Sequence, residues 1–188
     1  MINNRLSTRT MNLYLRFLWL IMRQLLRRDT NAMLDSQRLH FRVWPHDCDI
    51  NLHLTNSRYL GFGDLGRLNF LLTTRFGRSA LKQRWTGVVN AQVITYIRPL
   101  APMACFEMET ELLGWDEKYW YFEHRFLKGE TLHASILVRG VFLSKGRVLS
   151  MQQVTHLSGE QNISPELPER IHKWRDLLRQ KRQDASAG

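Results

Sequence analysis

The sequence predicts an α+β fold in which one long central helix is wrapped by a curved antiparallel sheet, with a helical extension at each end. First, apolar residues recur at spacings of three and four from Arg58 to about Phe76, which is typical of a helix. Second, apolar and polar residues alternate through much of the region 89–156, which predicts strands. Third, turns at 128–130 and 145–146 are short, and short turns favour antiparallel pairing.

The composition fits one globular domain with additions at its ends. The chain has 188 residues, 44% of them hydrophobic and 23% charged, which argues against disorder throughout. Much of the formal charge of +10 comes from residues 1–28, which hold six arginines and no acid. Cys48 and Cys105 form no CxxC pair and the histidines are scattered, so we expect neither a metal site nor an organic cofactor.

The amino-terminal arm contains an apolar stretch, residues 11–26, that Arg16 and Arg23 interrupt. Its uninterrupted run is too short to span a bilayer, and its arginines share one helical face. Two interpretations stay open: a helix at residues 11–28 in peripheral contact with an anionic membrane, or a helix that packs on the domain or on a partner subunit. No cleavage signal is evident, so we expect a cytoplasmic protein, at most peripheral to a membrane.

The first predicted strand precedes the long helix. Leu39, Phe41 and Val43 alternate with His40, Arg42 and Trp44, which is the periodicity of a strand. Pro45 should end the strand. A polar loop from about 46 to 55 follows. Asn56 and Ser57 are suitable helix caps.

The long helix contains three glycines, Gly61, Gly63 and Gly66, and should end near Gly77 as its C′ residue. Each interior glycine costs roughly 0.5–1 kcal/mol relative to alanine. We therefore expect another backbone, or a ligand, to approach this helix closely.

The later strands should begin near Val89, Cys105, Trp120, Ala134 and Val148, the last running to about His156. The element order β-α-β-β-β-β-β is that of a hotdog fold. Residues 165–183 should form a polar amphipathic helix. We expect three parts: a basic amphipathic extension (1–35), the hotdog domain (36–160), and a carboxy-terminal helix and tail (161–188).

The most informative motif lies in the loop before the helix and in the helix itself. Its residues resemble the pattern D-x-D-x-x-G-H-x-N-N-x-x-Y, followed by an acidic residue and then arginine, of the 4-hydroxybenzoyl-CoA thioesterase-like family of hotdog acyl-CoA thioesterases. Tyr96 to Pro99 (YIRP) resembles the family's Y-x-x-P segment. The positions that match in spacing are Asp47, Asp49, His53, Asn56, Tyr59, Asp64 and Arg67. Leu52, Thr55 and Asp64 depart from the pattern, where glycine, asparagine and glutamate are usual.

The chemistry of thioester hydrolysis suits these residues. A carboxylate can activate water or attack the carbonyl directly, and the unpaired N–H groups at a helix start can stabilise an oxyanion. The resemblance implies that Asp49 is the base or nucleophile and that the amide of Asn56 or of its neighbour polarises the carbonyl. It also implies that Asp64 helps to hold the water and that Asp47, His53, Arg58 and Tyr59 line the substrate site.

Each of these residues also has a structural interpretation. Aspartate favours loops and turns, asparagine caps helices, and Asp64 and Arg67 form an ordinary surface pair when three residues apart. His53 is as compatible with a structural hydrogen bond as with substrate contact. Tyr59 has the spacing of a core residue.

The resemblance further implies a homodimer or a dimer of dimers with sites shared between subunits, and a coenzyme A or acyl-carrier-protein substrate. Coenzyme phosphates would then rest on basic residues, of which the candidates are Arg58, Arg75, Arg78, Lys82 and Arg84.

Three rival functions remain. A non-catalytic hotdog module would bind acyl chains or acyl-CoA without turnover. A hydratase would need a His–acid pair that the sequence does not display in a recognisable pattern. A nucleic-acid binder would use the basic arm, but no recognition helix, zinc finger or aromatic–basic RNA motif accompanies that arm, so we expect no nucleic-acid partner.

Overall fold

A computed structural model of the protein describes residues 13–26, 31–159 and 163–187. It confirms the hotdog arrangement, because a curled antiparallel sheet packs against one long helix. The helices are α1 (Leu13–Leu26), α2 (Asn56–Thr73), α3 (Arg75–Lys82), α4 (Met151–Ser158) and α5 (Glu169–Ala187). The strands are β1 (Gln37–Arg42), β2 (Thr86–Tyr96), β3 (Cys105–Trp115), β4 (Trp120–Lys128), β5 (Thr131–Ser144) and β6 (Arg147–Val148).

The sheet has the strand order β1-β3-β4-β5-β2, with the short β6 paired to β5. All pairings are antiparallel, as the short turns predicted. β2 pairs only with β5 in the described part of the chain, so its outer edge is open. Unpaired edges of this kind are templates for another strand.

The main core lies between α2 and the inner face of the sheet. Phe62, Leu65 and Phe70 of α2 are buried against Phe106 of β3 and Phe122 of β4. Phe70 and Phe122 meet edge to face at 4.8 Å, a favoured aromatic geometry. α2 is therefore fixed along its length by aromatic packing, which holds both of its ends in defined positions.

The close approach predicted at the helix glycines occurs at Gly63 and Gly66, where side chains of the protein make it. A Cβ on Gly66 would lie 2.4 Å from Thr110 Oγ1 and 3.2 Å from His124 Nδ1. A Cβ on Gly63 would lie 3.3 Å from the same imidazole. The two glycines thus make room for a polar side chain inside the core.

The predicted bounds of the long helix were wrong at both ends. Its N-cap is Thr55, so Asn56 and Ser57 lie inside the helix. Thr74 is extended (φ −98°, ψ 152°) and interrupts the helix. Its side chain accepts a hydrogen bond from Gly77 N and so caps α3. Gly77 is therefore an interior residue of α3, where a Cβ would lie 2.1 Å from Leu71 O.

The predicted last strand was also wrong, since only Arg147–Val148 pair as a strand and Met151–Ser158 form α4. Ser150 and Gln153 form a reciprocal capping box at its start. Met151 and Val154 are buried three residues apart, which is a helical spacing. The capping box formed by Ser150 and Gln153 therefore starts a helix in a segment whose apolar and polar residues alternate only weakly.

The two terminal helices pack on the domain. α1 contacts α2, and its Arg16 is buried, with the guanidinium 4.9 Å from the centre of the Phe62 ring. α5 covers the outer face of the sheet, where Ile171 and Trp174 pack against Tyr121. Within the described ranges, none of the helices combines the length and the apolar character needed to cross a bilayer.

A candidate active site at the start of the long helix

The loop that connects β1 to α2 carries the motif residues. A short 3-10 helix spans Pro45–Asp47, and an antiparallel bridge between Cys48 and Leu54 closes the loop behind it. Thr55 N donates to Asp47 O, which joins the two arms of the loop, and Leu54 N donates to Leu100 O, which ties the loop to the connection between β2 and β3. The loop is thus a fixed support with one exposed tip.

Asp47 is buried and fully engaged. Its side chain is 1% exposed, and Oδ2 accepts hydrogen bonds from Arg16 Nη2 at 2.6 Å and from Trp44 N at 3.1 Å. Arg58 Nε lies 3.6 Å from its Oδ1. These contacts hold the loop in its shape and connect it to α1, and they leave the Asp47 carboxylate buried rather than exposed to a substrate.

Asp49 is half-buried and only partly engaged. Its Oδ1 accepts hydrogen bonds from Asn51 N at 2.9 Å and from His53 N at 3.4 Å, which makes an Asx-type turn. In the part of the chain that the structure describes, Oδ2 has no hydrogen-bond partner. One oxygen of Asp49 thus shapes the loop while the other stays available to a water or a carbonyl carbon.

Leu52 stands where the family pattern has glycine, and its backbone adopts a conformation that favours glycine. Its φ is +57°, in the left-handed region, and its side chain is 67% exposed. The departure from the pattern therefore leaves the turn intact but places strain on a leucine. Ile50, 96% exposed, lies at the same tip, so two exposed apolar side chains follow Asp49 within three residues.

The start of α2 provides free hydrogen-bond donors. The Thr55 side chain makes no capping bond, and Arg58 N is the first helix amide bonded back, to Thr55 O at 2.9 Å. Among the described residues no acceptor faces the backbone N–H of Asn56 or Ser57. Unpaired amides at the positive end of a helix suit an oxyanion.

The remaining predicted site residues occupy different environments. Tyr59 is 2% exposed and packs edge-on against Tyr96 and Phe126, and burial together with the nearby Tyr96 raises its pKa to about 12. Arg58 donates from Nη2 to His46 O at 3.4 Å. The ring of His53 is exposed, and its hydrogen bonds to Asp49 come from its backbone.

Asp64 lies further along α2, on the face that carries Ser57. Eight residues separate it from Asn56, which corresponds to about 12 Å along the helix axis. Its carboxylate pairs with Arg67. The structure therefore brings Asp49 and the first amides of α2 to one end of the helix and sets Asp64 about two turns away.

A polar chain behind Asp64 was not predicted from the sequence. Arg67 Nη1 lies 3.0 Å from His124 Nε2, and His124 Nδ1 lies 2.9 Å from Thr110 Oγ1. Since a guanidinium can only donate, Nε2 accepts and the imidazole proton is assigned to Nδ1, which donates to Thr110. The signal that pointed to this cluster was the pair Gly63 and Gly66, whose missing side chains make room for the ring.

The environment of His124, between Arg67 and Thr110, favours the neutral imidazole. Burial, followed by the positive charge of Arg67, lowers the pKa of His124 well below its usual value. A neutral imidazole can accept from Arg67, whereas an imidazolium would repel it. The chain Thr110–His124–Arg67 thus fixes the position of Asp64 from the core outward.

Two other chemistries find little support at this loop. Burial, and then the charges of Asp47 and Asp49, raises the pKa of the Cys48 thiol, which disfavours a thiolate nucleophile. Within the described residues no cluster of three histidine, cysteine or acidic side chains is arranged to hold a metal.

Comparison with known proteins gives one family and several relatives. The profile described as "Thioesterase-like superfamily" matches residues 43–174. Protein THEM6 from Danio rerio is 32% identical over 166 residues, which covers 86% of this chain and 79% of the relative.

Solved structures share the fold at lower identity. A probable thioesterase from Escherichia coli, YbaW, superposes with a TM-score of 0.60 at 18% identity, covering 64% of this chain and 94% of that one. The protein SAV2348 from Staphylococcus aureus, solved in complex with CoA, gives a TM-score of 0.57 at 18% identity over 76% of this chain and 96% of that one.

Proposed function

This chain belongs to the thioesterase-like superfamily, and on that premise we propose that it hydrolyses an acyl thioester of coenzyme A or acyl-carrier protein, with Asp49 as the reactive carboxylate. Membership supports thioester hydrolysis as the class of reaction. The observation that carries the assignment to Asp49 is that its Oδ2, and the first two amides of the helix that follows the loop, have no partner among the residues that the structure describes.

In the proposed reaction the thioester carbonyl oxygen accepts hydrogen bonds from Asn56 N and Ser57 N. Asp49 Oδ2 either takes a proton from water, which then attacks the carbonyl carbon, or attacks that carbon itself to give a mixed anhydride. In the first route the C–S bond breaks, the thiolate leaves and takes the proton that Asp49 removed from water, and the water oxygen becomes the new carboxylate oxygen. In the second route the thiolate leaves as the anhydride forms, and water then hydrolyses the anhydride, which releases the acid, regenerates Asp49 and supplies the thiol proton. The helix amides stabilise the negative charge that develops on the carbonyl oxygen.

The exposed tip of the loop supports an acyl substrate. Ile50 and Leu52 are both strongly exposed, on either side of Asn51 and next to Asp49. Exposed apolar side chains at a polar site commonly mark a contact surface for an apolar partner. We propose that they contact the acyl chain and that Arg58, in the first turn of α2, receives a phosphate when the carrier is coenzyme A. The other basic candidates, Arg75, Arg78, Lys82 and Arg84, lie on or near α3, at the opposite end of α2 and about 25 Å from Arg58.

The open edge of β2 supports a homodimer with a shared site. Val88, Val93, Tyr96 and Ile97 are exposed on β2 or just after it. Tyr96 OH lies 3.4 Å from Asn56 O, so the end of this edge strand is next to the start of α2. A second copy that pairs along β2 would therefore bring its residues close to Asp49.

Thiol release from a panel of acyl-CoAs, short to long and aromatic, tests the proposal with wild type and Asp49→Asn. We expect the variant to lose about 10²–10⁴-fold in rate, the typical contribution of a positioned base. Asp64→Asn is the matched control, since it removes the same charge about two turns away. We propose that Asp64 orients water or substrate along the helix, and expect its variant to lose less rate than Asp49→Asn.

Two results would contradict this assignment. An Asp49→Asn protein that is folded and fully active would remove Asp49 from the reaction. A wild type that binds acyl-CoA and acyl-carrier-protein substrates but releases no thiol would favour the non-catalytic binding module, in which Asp49 only shapes its own turn.

A further inference from the structure

A second polar site lies on the outer face of the sheet, opposite α2. There Ile171 and Trp174 of α5, with Leu167 just before it, pack on Leu113 of β3 and Tyr121 of β4. Beside this apolar contact is a cavity of about 120 Å³, bounded by α5, the β3–β4 turn and β5. Because α2 packs on the inner face, the cavity is separate from the candidate active site.

The cavity is lined mainly by arginines. Its polar walls are Arg139, Arg175, Arg179 and Arg182, with Tyr119 and Asp116. Three of the arginines come from α5 and one from β5, so the site exists only when the carboxy-terminal helix is docked.

Arg139 is the innermost cation. It is 5% exposed, its Nε donates to Asn90 Oδ1 at 2.9 Å, and its guanidinium lies 4.3 Å from the centre of the Tyr119 ring. No carboxylate in the described part of the chain pairs with it. A buried cation is costly unless an anion compensates it, and a single amide oxygen and a ring face compensate it only partly.

Tyr119 reports the sign of the local field. Arg182 Nη2 donates to its hydroxyl at 3.1 Å, and Lys118 Nζ lies 5.3 Å from its ring centre. Burial alone would raise the pKa of Tyr119, but the hydrogen bond from Arg182 and the charges of Arg182, Lys118 and Arg139 outweigh burial and lower it. Arg139, Arg182 and Lys118 therefore place positive charge around the Tyr119 ring, with guanidinium or ammonium groups 4.3–5.9 Å from its centre.

The acidic residues nearby do not neutralise this charge. Asp116 accepts from Lys118 N, Tyr119 N and the Tyr121 hydroxyl at 2.7–2.9 Å, and Arg175 lies 3.6 Å away. Asp176 pairs with Arg179 at 3.2 Å, where both side chains are largely exposed and the pair is weak. Inside the cavity four guanidinium groups face one carboxylate.

We propose that this cavity binds a phosphate-bearing anion. Guanidinium groups match phosphate oxygens with paired N–H donors, and a multiply charged anion compensates several of them at once. A monocarboxylate would neutralise only one of the four. The proposal does not depend on thioesterase activity.

A purely structural role for the arginines predicts a different outcome. If Arg139 and Arg182 serve only to hold α5 against Tyr119, anions will bind weakly and without saturation. The two interpretations can be separated by calorimetric titration of the full chain with inorganic pyrophosphate at constant ionic strength. We expect saturable binding with one site per chain.

The variant that tests the site is Arg175→Gln/Arg179→Gln, because these two arginines are more exposed than Arg139 and their loss should leave the fold intact. Lys173→Gln/Lys181→Gln is the matched control, since it removes the same charge from the same helix outside the cavity. We expect the arginine variant to raise the Kd for pyrophosphate at least tenfold and the lysine variant to change it less than twofold.

The source of the phosphate can be determined in the same experiment. If coenzyme A displaces pyrophosphate from the wild type, the cavity takes the phosphates of the coenzyme; if it does not, the ligand is a free phosphate compound. Either result supports the assignment. Absence of saturable pyrophosphate binding, or equal weakening in the arginine and lysine variants, would overturn it.

Discussion

The loop that leads into α2 and the middle of α2 use polar residues in opposite ways. In the loop, Asp49 Oδ2 and the first two helix amides have no partner among the described residues. In the middle of the helix, His124 is fully enclosed and both ring nitrogens are paired. The paired polar groups in the middle of α2 thus hold the helix in place, so that its start can keep unpaired groups in position for chemistry.

The largest expected effect comes from changing Asp47, the loop aspartate whose carboxylate is buried and fully hydrogen-bonded. Asp47→Asn should lower the free energy of unfolding by about 3–5 kcal/mol, because it leaves the Arg16 charge buried without a partner. Denaturant titration measures the change. Asp49→Asn is the control: the same substitution two residues later should cost under about 1 kcal/mol, since an asparagine oxygen can still accept from Asn51 N. Equal costs for the two variants would contradict the distinction between them.

A methyl group in the saturated middle should be the next most harmful change. Gly66→Ala should destabilise the protein by about 1–3 kcal/mol despite the better helix propensity of alanine, because its Cβ would overlap Thr110 Oγ1. Gly63→Ala meets its nearest atom at 3.3 Å and should cost less. Thermal unfolding of both variants checks the ranking, and a stabilised Gly66→Ala would show that the middle of the helix is not closely packed.

The pH dependence of stability should also originate in the middle of the helix. The pKa of His124 is lowered in the folded protein, chiefly by burial, so below about pH 6.5 the unfolded chain binds a proton that the folded chain excludes. Stability should therefore be constant in this respect above pH 6.5 and fall below it, by at most about 1.4 kcal/mol per pH unit.

Urea unfolding between pH 5 and pH 8 measures this slope. His124→Gln should flatten it, because glutamine carries no titrating group, while His53→Gln should not change it, because the His53 ring is exposed. A slope that His53→Gln removes and His124→Gln retains would refute the assignment.

The smallest effect should be a gain in the loop. Leu52→Gly removes the strain of a leucine at φ +57° but adds backbone entropy to the unfolded chain, so we expect a net stabilisation of about 0.5 kcal/mol. Leu52→Ala keeps the left-handed strain and should not stabilise. If glycine and alanine have equal effects, the backbone at this position is unstrained.

The fold could be predicted from the sequence where the signal was local and repeated. The alternation in β3, β4 and β5 and the spacing of apolar residues in α2 follow from burial on one face, which each residue encodes independently. The ends of α2 and the helix α4 were mispredicted. Single capping hydrogen bonds determine where these helices start, such as the bond from Gly77 N to Thr74 and the bond from Gln153 N to Ser150. The periodicity of apolar residues continues across these positions and does not reveal the boundaries.

The site was only partly predictable for a related reason. The motif from Asp47 to Asp64 identifies the loop and helix, but the aspartates in D-x-D look alike in sequence, and only burial and hydrogen bonding distinguish Asp47 from Asp49. His124 lies 57 residues from Arg67 in the chain, and only the sheet brings the two together. Gly63 and Gly66 indicated from the sequence that something packs closely on the helix, but they did not identify His124 as the residue that does so.

The ion pair between Arg16 and Asp47 has a practical consequence for anyone who shortens this chain. A protein that begins after α1 would lack Arg16, so a loss of activity would report damage to the loop beside Asp49 rather than a role of the first helix in location. Polar substitutions at Leu15, Leu18 and Met22, which are exposed apolar side chains of α1, would change its outward face and leave Arg16 in place. The inner face of α1 thus supports the loop through Arg16, and its outer face can be altered separately.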